Sequence, residues 1–165
     1  MSLLAHKIVE LAAKEVGVEE INGTNCGPRV NQYKAATNLP PDEPWPWCAA
    51  FVCWLVREAM AATGIKETAR FKRPRTAGAW AFENWSLSQD ATTQTRKPHR
   101  GDIQPGDIVV FTFSHIGIAV GEPDAEGYVA TIEGNTDAAG SREGGGVFRK
   151  RRKLSAIRSR IRFTI

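Results

Sequence analysis

Residues 46–64 read PWCAAFVCWLVREAMAATG and carry the strongest helical pattern in the chain. Apolar side chains recur at helical spacing from Cys48 to Ala62, and Gly64 supplies a stop signal. Residues 40–46 contain four prolines, which predicts a stiff, extended segment directly before the helix. Cys48 is therefore expected in the first turn of a long helix whose apolar face the rest of the fold must cover.

Further helical patterns surround this segment, and strand patterns follow it. The spacing of apolar residues predicts three other helices, at 4–16, 30–36 and 77–85. Residues 86–104 are polar and lack periodicity, which predicts a surface loop. Five β-rich runs come next, at 107–113, 115–120, 128–133, 146–149 and 159–165. Helices followed by strands predict an α+β fold with N-terminal helices packed on a C-terminal antiparallel sheet, in one domain over residues 1–165.

Composition sets limits on the class of protein. The chain has 165 residues, of which 42% are hydrophobic and 24% are charged, as in globular proteins rather than disordered ones. No stretch approaches the ~20 apolar residues that a membrane-spanning helix needs. The first ten residues include His6, Lys7 and Glu10 and lack the features of a secretory signal. We therefore expect a protein made in the cytoplasm without a signal peptide.

The basic charge is concentrated at the C-terminal end. Residues 149–165 hold eight basic and no acidic side chains, whereas residues 1–148 hold 14 basic and 18 acidic ones. Such an end suits an anionic polymer or surface. An ordinary solvated strand face with a charged turn is an equally good interpretation. Nucleic acid is an unlikely partner, because the five tryptophans do not interleave with the basic residues.

Cysteine chemistry is the clearest functional signal. The three cysteines, Cys26, Cys48 and Cys53, form neither a disulfide framework nor a spacing typical of zinc sites, so we expect no metal and no cofactor. A helix N-terminus favours an anion, which makes Cys48 a candidate thiolate nucleophile. The alternative is a small buried apolar residue. Cys53 lies in the apolar interior of the same helix and is expected in the core.

A thiolate nucleophile needs a base, and the base needs an orienting group. His115 lies in a strand pattern where the small residues Gly117 and Ala119 share its face. Glu133 lies on the strand that follows, so the two side chains can meet across a hairpin. Asn135, just past that strand, could orient the ring or polarise a carbonyl. Each residue taken alone has an ordinary structural interpretation.

Four runs in this order resemble the CHAP domain, the cysteine, histidine-dependent amidohydrolase/peptidase family of the papain-like NlpC/P60 group. They are PWCAAFV at 46–52, QPGDIVVF at 104–111, SHIGIA at 114–119 and IEGNT at 132–136. The resemblance implies a papain-like α+β fold and cleavage of amide bonds in bacterial peptidoglycan. It assigns the nucleophile to Cys48, the base to His115, the orienting acid to Glu133 and a supporting role to Asn135. No Asp-rich calcium loop precedes the cysteine.

Two other functions fit the same residues, namely a non-catalytic wall-binding module and a thiol hydrolase of another amide. A nucleic-acid-binding protein using residues 149–162 is a third, weaker alternative. We expect a monomer that reaches the cell wall or periplasm after lysis, holin-type release or non-classical export. Contact with an anionic wall polymer is expected through four residues outside the catalytic group, Arg149, Lys150, Arg151 and Arg152.

Overall fold

The structure, a computed structural model, describes residues 1–99, 102–141 and 143–165. These ranges contain four α-helices and six β-strands. The helices are α1 (Leu3–Glu15), α2 (Pro28–Lys34), α3 (Cys48–Thr63) and α4 (Ala81–Leu87). The strands are β1 (Thr93–Arg96), β2 (Ile108–Phe111), β3 (Ile116–Ala119), β4 (Tyr128–Thr136), β5 (Gly146–Lys153) and β6 (Ile157–Phe163).

The six strands form one sheet in the order β1-β6-β2-β3-β4-β5, with every neighbouring pair antiparallel. The predicted α+β class is therefore confirmed. The strand predicted at 146–149 extends to Lys153, so all five consecutive basic residues, 149–153, belong to β5 rather than to a turn. A short 3₁₀ turn at Leu154–Ala156 then leads directly into β6.

Helix α3 is the centre of the core. It packs against α1, α2, β3 and β4, and its first nine residues, 48–56, are all buried. Gly64 ends the helix in the left-handed conformation, at φ 74°, which glycine adopts without strain. Gly134 of β4 faces the start of the helix, where a Cβ would lie 2.9 Å from both Phe51 and Trp47. The absence of a side chain there allows α3 to approach the strand closely.

Side chains alternate between the two faces of the sheet as the sequence predicts. Ile116 and Ile118 belong to the main core under the helices, whereas Ala119 belongs to a second apolar cluster that includes Val109 and Val129. Both faces of the central strands are therefore covered, which explains why β2 and β3 are buried along their whole length.

One strand falls in a region predicted as loop. Within residues 86–104, α4 continues to Leu87 and β1 occupies 93–96, so that prediction was wrong there; residues 100 and 101 lie outside the described ranges. The sequence of β1, TQTR, is short and polar, as suits an edge strand; among the described strands it pairs with β6 alone. No helix within the described ranges is long and apolar enough to cross a membrane.

Candidate active site

Cys48 occupies the first turn of α3 and lines a cleft. Its side chain is largely buried, with 6% of the residue exposed. The cleft has a volume of about 240 Å³. Its lining consists of Leu39, Trp45, Pro46, Cys48, Ala77, Gly78, Ala79 and Ser114. The helix places the thiol where unpaired N–H groups and the helix dipole favour an anion.

His115 lies immediately before β3 and is fully buried. Its Nε2 lies 2.9 Å from Oε1 of Glu133, the contact expected across the β3–β4 hairpin. Nδ1 is buried and has no partner in hydrogen-bond geometry within the described ranges. Because Nε2 faces Glu133, Nδ1 is the ring nitrogen available to the thiol of Cys48.

The two neighbours of His115 change its ionisation. Burial alone would lower the pKa of the imidazole, but its side-chain interactions with Cys48 and Glu133 outweigh that effect and raise the pKa to about 9. The ring is therefore expected to carry a proton at neutral pH. A protonated imidazole between a carboxylate and a thiol is the arrangement that supports a thiolate nucleophile.

Gly117 makes room for this pair. A Cβ on Gly117 would lie 2.6 Å from Cγ of Glu133. At that distance one of the two residues would have to move. The small residue that the sequence places on the face of His115 therefore lets Glu133 lie against the strand and reach the ring.

Glu133 is fully buried, and its carboxylate makes four hydrogen bonds with three side chains, those of Thr131, Arg152 and His115. Thr131 donates from Oγ1 to Oε2 at 2.5 Å, and Arg152 donates from Nε to the same oxygen at 2.9 Å. Arg152 also donates from Nη2 to Oε1, the oxygen that contacts His115. Burial would raise the pKa of Glu133, but Arg152 and His115 together lower it to about 2.

The role of Arg152 corrects the sequence interpretation. Arg152 was expected outside the catalytic group, on a surface for wall polymers, yet its side chain is only 15% exposed and binds Glu133. The antiparallel register explains this position, since β5 pairs Arg152 with Val129, which lies on the same face of β4 as Thr131 and Glu133. The sequence signal was the alternation of β5, which separates Lys150 and Arg152 from Arg149 and Arg151.

Two aromatic rings pack against both His115 and Arg152. Phe111 and Phe113 stack on each other at 5.2 Å, and His115 stacks on them at 5.7 and 5.8 Å. The guanidinium of Arg152 lies over the same two phenylalanines, at 5.2 and 5.4 Å from the ring centres. Histidine and arginine are thus held by one stack as well as by one carboxylate.

Asn135 lies inside β4, at a bulge, rather than past the strand end. Its backbone is left-handed, at φ 56°, a conformation that asparagine tolerates. Its Oδ1 accepts a hydrogen bond of 3.0 Å from the backbone N–H of Trp47. Asn135 therefore ties β4 to the residue that precedes Cys48.

The rest of the basic end is mostly paired. Arg151 contacts Asp124 at 2.7 Å and stacks on Tyr128, and Lys150 donates to two backbone carbonyls. Three further arginines of this end pair with carboxylates: Arg158 with Glu83, Arg160 with Asp102, and Arg162 with Asp107. Among the described residues, Arg149 and Lys153 are exposed and have no carboxylate partner.

The remaining cysteine of α3 is structural. Cys53 is fully buried, and burial raises the pKa of its thiol to about 12, so the core position predicted for it is confirmed. Cys26 is partly exposed, with its sulfur 3.4 Å from Nζ of Lys34. No group of three His, Cys, Asp or Glu side chains within the described ranges is arranged to hold a metal ion.

Comparison with known proteins identifies the family. The CHAP domain matches residues 40–135, which is more than half of the chain and includes Cys48, His115 and Glu133. The chain belongs to the CHAP domain family. The resemblance seen in the sequence is therefore confirmed.

A solved structure has a similar fold to this CHAP domain. The crystal structure of a wild-type endolysin, LysIME-EF1, superimposes with a TM-score of 0.56 at 18% sequence identity. The match covers 98% of this chain and 64% of that one, so this CHAP domain spans less than two thirds of the endolysin chain. A search of curated proteins found no significant match.

Proposed function

We propose that this CHAP domain is a cysteine-dependent hydrolase that cleaves amide bonds in bacterial peptidoglycan. The observation that carries the proposal is the connected set of Cys48, His115 and Glu133, in which the thiol borders a cleft and the buried histidine contacts the carboxylate. Membership of the CHAP family and the fold shared with an endolysin support peptidoglycan as the substrate.

The first half of the reaction is acyl transfer to the thiol. The thiolate of Cys48 attacks the carbonyl carbon of the scissile amide and forms a tetrahedral intermediate. The intermediate collapses to a thioester as the C–N bond breaks, and His115 donates its proton to the leaving amine. The high pKa of His115, about 9, keeps that proton on the ring at neutral pH until it is needed.

The second half is hydrolysis of the thioester. His115, now neutral, takes a proton from a water molecule, which attacks the thioester carbonyl. The C–S bond breaks, the acid product leaves, and the thiolate–imidazolium pair returns. Glu133 acts throughout by holding Nε2, which leaves Nδ1 directed to the reacting atoms.

The start of α3 supplies electrostatic stabilisation. The backbone N–H of Cys48, with one further donor, would hold the developing oxyanion. Asn135 supports this step indirectly, because it accepts a hydrogen bond from the backbone N–H of Trp47 and so fixes the backbone immediately before Cys48. We assign Asn135 a positioning role on this basis.

The test is mass spectrometry of the fragments released from purified peptidoglycan. New amino termini on stem or cross-bridge residues would identify an endopeptidase, whereas free lactyl groups with intact stems would identify an amidase. The proposal would be overturned if the unmodified protein released neither kind of fragment, although a separate sample showed that Cys48 reacts with an alkylating reagent. A non-catalytic wall-binding module would then remain.

A further inference from the structure

A second cleft adjoins the one at Cys48. It has a volume of about 470 Å³ and shares Leu39 and Ala77 with the cleft that Cys48 lines. The two clefts are therefore neighbours on the surface, on either side of Leu39 and Ala77. A substrate bound at Cys48 that extends past Leu39 and Ala77 enters the second cleft.

The second cleft is lined by two arginines and no acidic residue. Arg75 is already neutralised, because Glu67 accepts hydrogen bonds of 2.6 and 3.1 Å from its two Nη atoms. Arg73 is different. Among the described residues no carboxylate lies within ion-pair distance of its guanidinium, so Arg73, Arg75 and Glu67 together leave one positive charge in the cleft.

The guanidinium of Arg73 is fixed by neutral groups. Its Nη1 donates to the backbone carbonyls of Ala36 at 2.7 Å and Pro74 at 3.0 Å. Its backbone N–H is also held, by Oε1 of Glu67 at 2.9 Å. Nε and Nη2 make no hydrogen bond within the described ranges. A charged, pre-oriented guanidinium with unused N–H groups suits a carboxylate, which it can bind through two parallel hydrogen bonds.

We propose that Arg73 forms a subsite for a carboxylate of the substrate, in the cleft next to the one that Cys48 lines. The inference rests on the proposed function, since it takes the occupant of the two clefts to be a wall peptide. Such a peptide carries a carboxylate at its C-terminus and on each acidic side chain. Arg73 then selects peptides whose carboxylate is free over those in which it is converted to a carboxamide.

The experiment compares two soluble muropeptides that differ only in having free carboxylates or carboxamides. Binding is measured by calorimetry on Cys48→Ala protein, in which the peptides stay intact. We expect the acid form to bind about tenfold more tightly than the amide form, as one charge-assisted contact allows. Adding Arg73→Gln should bring that ratio to about one while the affinity for the amide form stays unchanged.

Two controls separate recognition from damage to the fold. Arg70→Gln removes the same charge three residues away, from a side chain that is 82% exposed and does not line the cleft, and should keep the tenfold preference. Arg73→Lys keeps the charge without the planar fork and should retain part of the preference. A fall in affinity for both peptides alike would indicate a structural role for Arg73 and overturn the subsite.

The outcomes also distinguish this inference from the proposed function. Suppose that the wild-type protein cleaves both muropeptides and that Cys48→Ala protein binds the acid and amide forms equally well. This result would overturn the subsite but would still support the proposed hydrolase. A preference for the acid form that depends on Arg73, without cleavage of either peptide, would support the subsite and count against the hydrolase.

Discussion

Arg152 donates two hydrogen bonds to the carboxylate of Glu133, from Nε at 2.9 Å and from Nη2, while the same carboxylate contacts His115 Nε2 at 2.9 Å. A buried negative charge thus lies between two positive groups. Arg152 keeps the pKa of Glu133 near 2, and Glu133 helps to keep a proton on His115. The basic strand β5 is therefore connected to the chemistry at Cys48 through a single carboxylate.

Replacing Arg152 should make the site sensitive to acid. In Arg152→Gln the burial of Glu133 is no longer offset by the arginine, so the pKa of Glu133 rises. A neutral Glu133 no longer supports the imidazolium. We expect the acid limb of kcat/KM to move up by about one pH unit or more. The measurement is the pH profile of hydrolysis of a soluble muropeptide.

Two variants control that experiment. Arg151→Gln removes the neighbouring charge, which pairs with Asp124 on the surface, and should leave the acid limb in place. Arg152→Lys keeps a charge near Glu133 and should give an intermediate shift. An unchanged profile in folded Arg152→Gln would show that the arginine has no influence on the catalytic groups.

Glu133→Gln should affect the opposite limb. The pKa of His115 is raised to about 9, so the imidazolium persists below that pH and is lost as pH rises through it. Removing the carboxylate leaves burial less opposed and lowers that pKa. We expect the alkaline limb to move to lower pH and kcat to fall by about a hundredfold or more. An alkaline limb that stays at its wild-type pH would contradict the assignment of His115 as the acid.

The space at Gly117 gives a packing prediction. Gly117→Ala forces a Cβ to within 2.6 Å of Glu133 Cγ and should cost about 1–3 kcal/mol of unfolding free energy, together with most of the activity. Gly121→Ala is the matched control, because the nearest atom to its Cβ is 3.8 Å away, on Ala130. Thermal unfolding and turnover should separate the two variants; similar behaviour would refute the packing argument.

Features that depend on local pattern could be predicted from the sequence, whereas features that depend on register could not. The apolar spacing of α3 and the alternation around His115 were enough to bring Cys48, His115 and Glu133 into one candidate site. The contact of Arg152 depends on how β5 pairs with β4, and a run of five basic residues gives no indication of that pairing. Strand β1 was missed because an edge strand needs no apolar face.

The position of Arg152 decides which basic residues can test attraction to the cell wall. Neutralising residues 149–152 together would disturb Glu133, so the surface contribution is better tested at Arg149 and Lys153. We expect Arg149→Gln with Lys153→Gln to slow hydrolysis of intact walls several-fold at low salt, but not of a soluble muropeptide. The difference should shrink at high salt. Equal losses on both substrates would instead indicate a structural role for these residues.

The central claim is that Cys48 is the nucleophile, and the most direct measurement is fragment release from purified peptidoglycan by three proteins. We expect Cys48→Ala to fold normally and to lose about three orders of magnitude of activity or more relative to wild type. Cys53→Ala should keep most activity and lose about 1 kcal/mol of stability, since its buried thiol fills the core and donates one hydrogen bond, to the carbonyl of Thr76. Wild-type rates from Cys48→Ala, or loss of turnover in Cys53→Ala alone, would contradict the account.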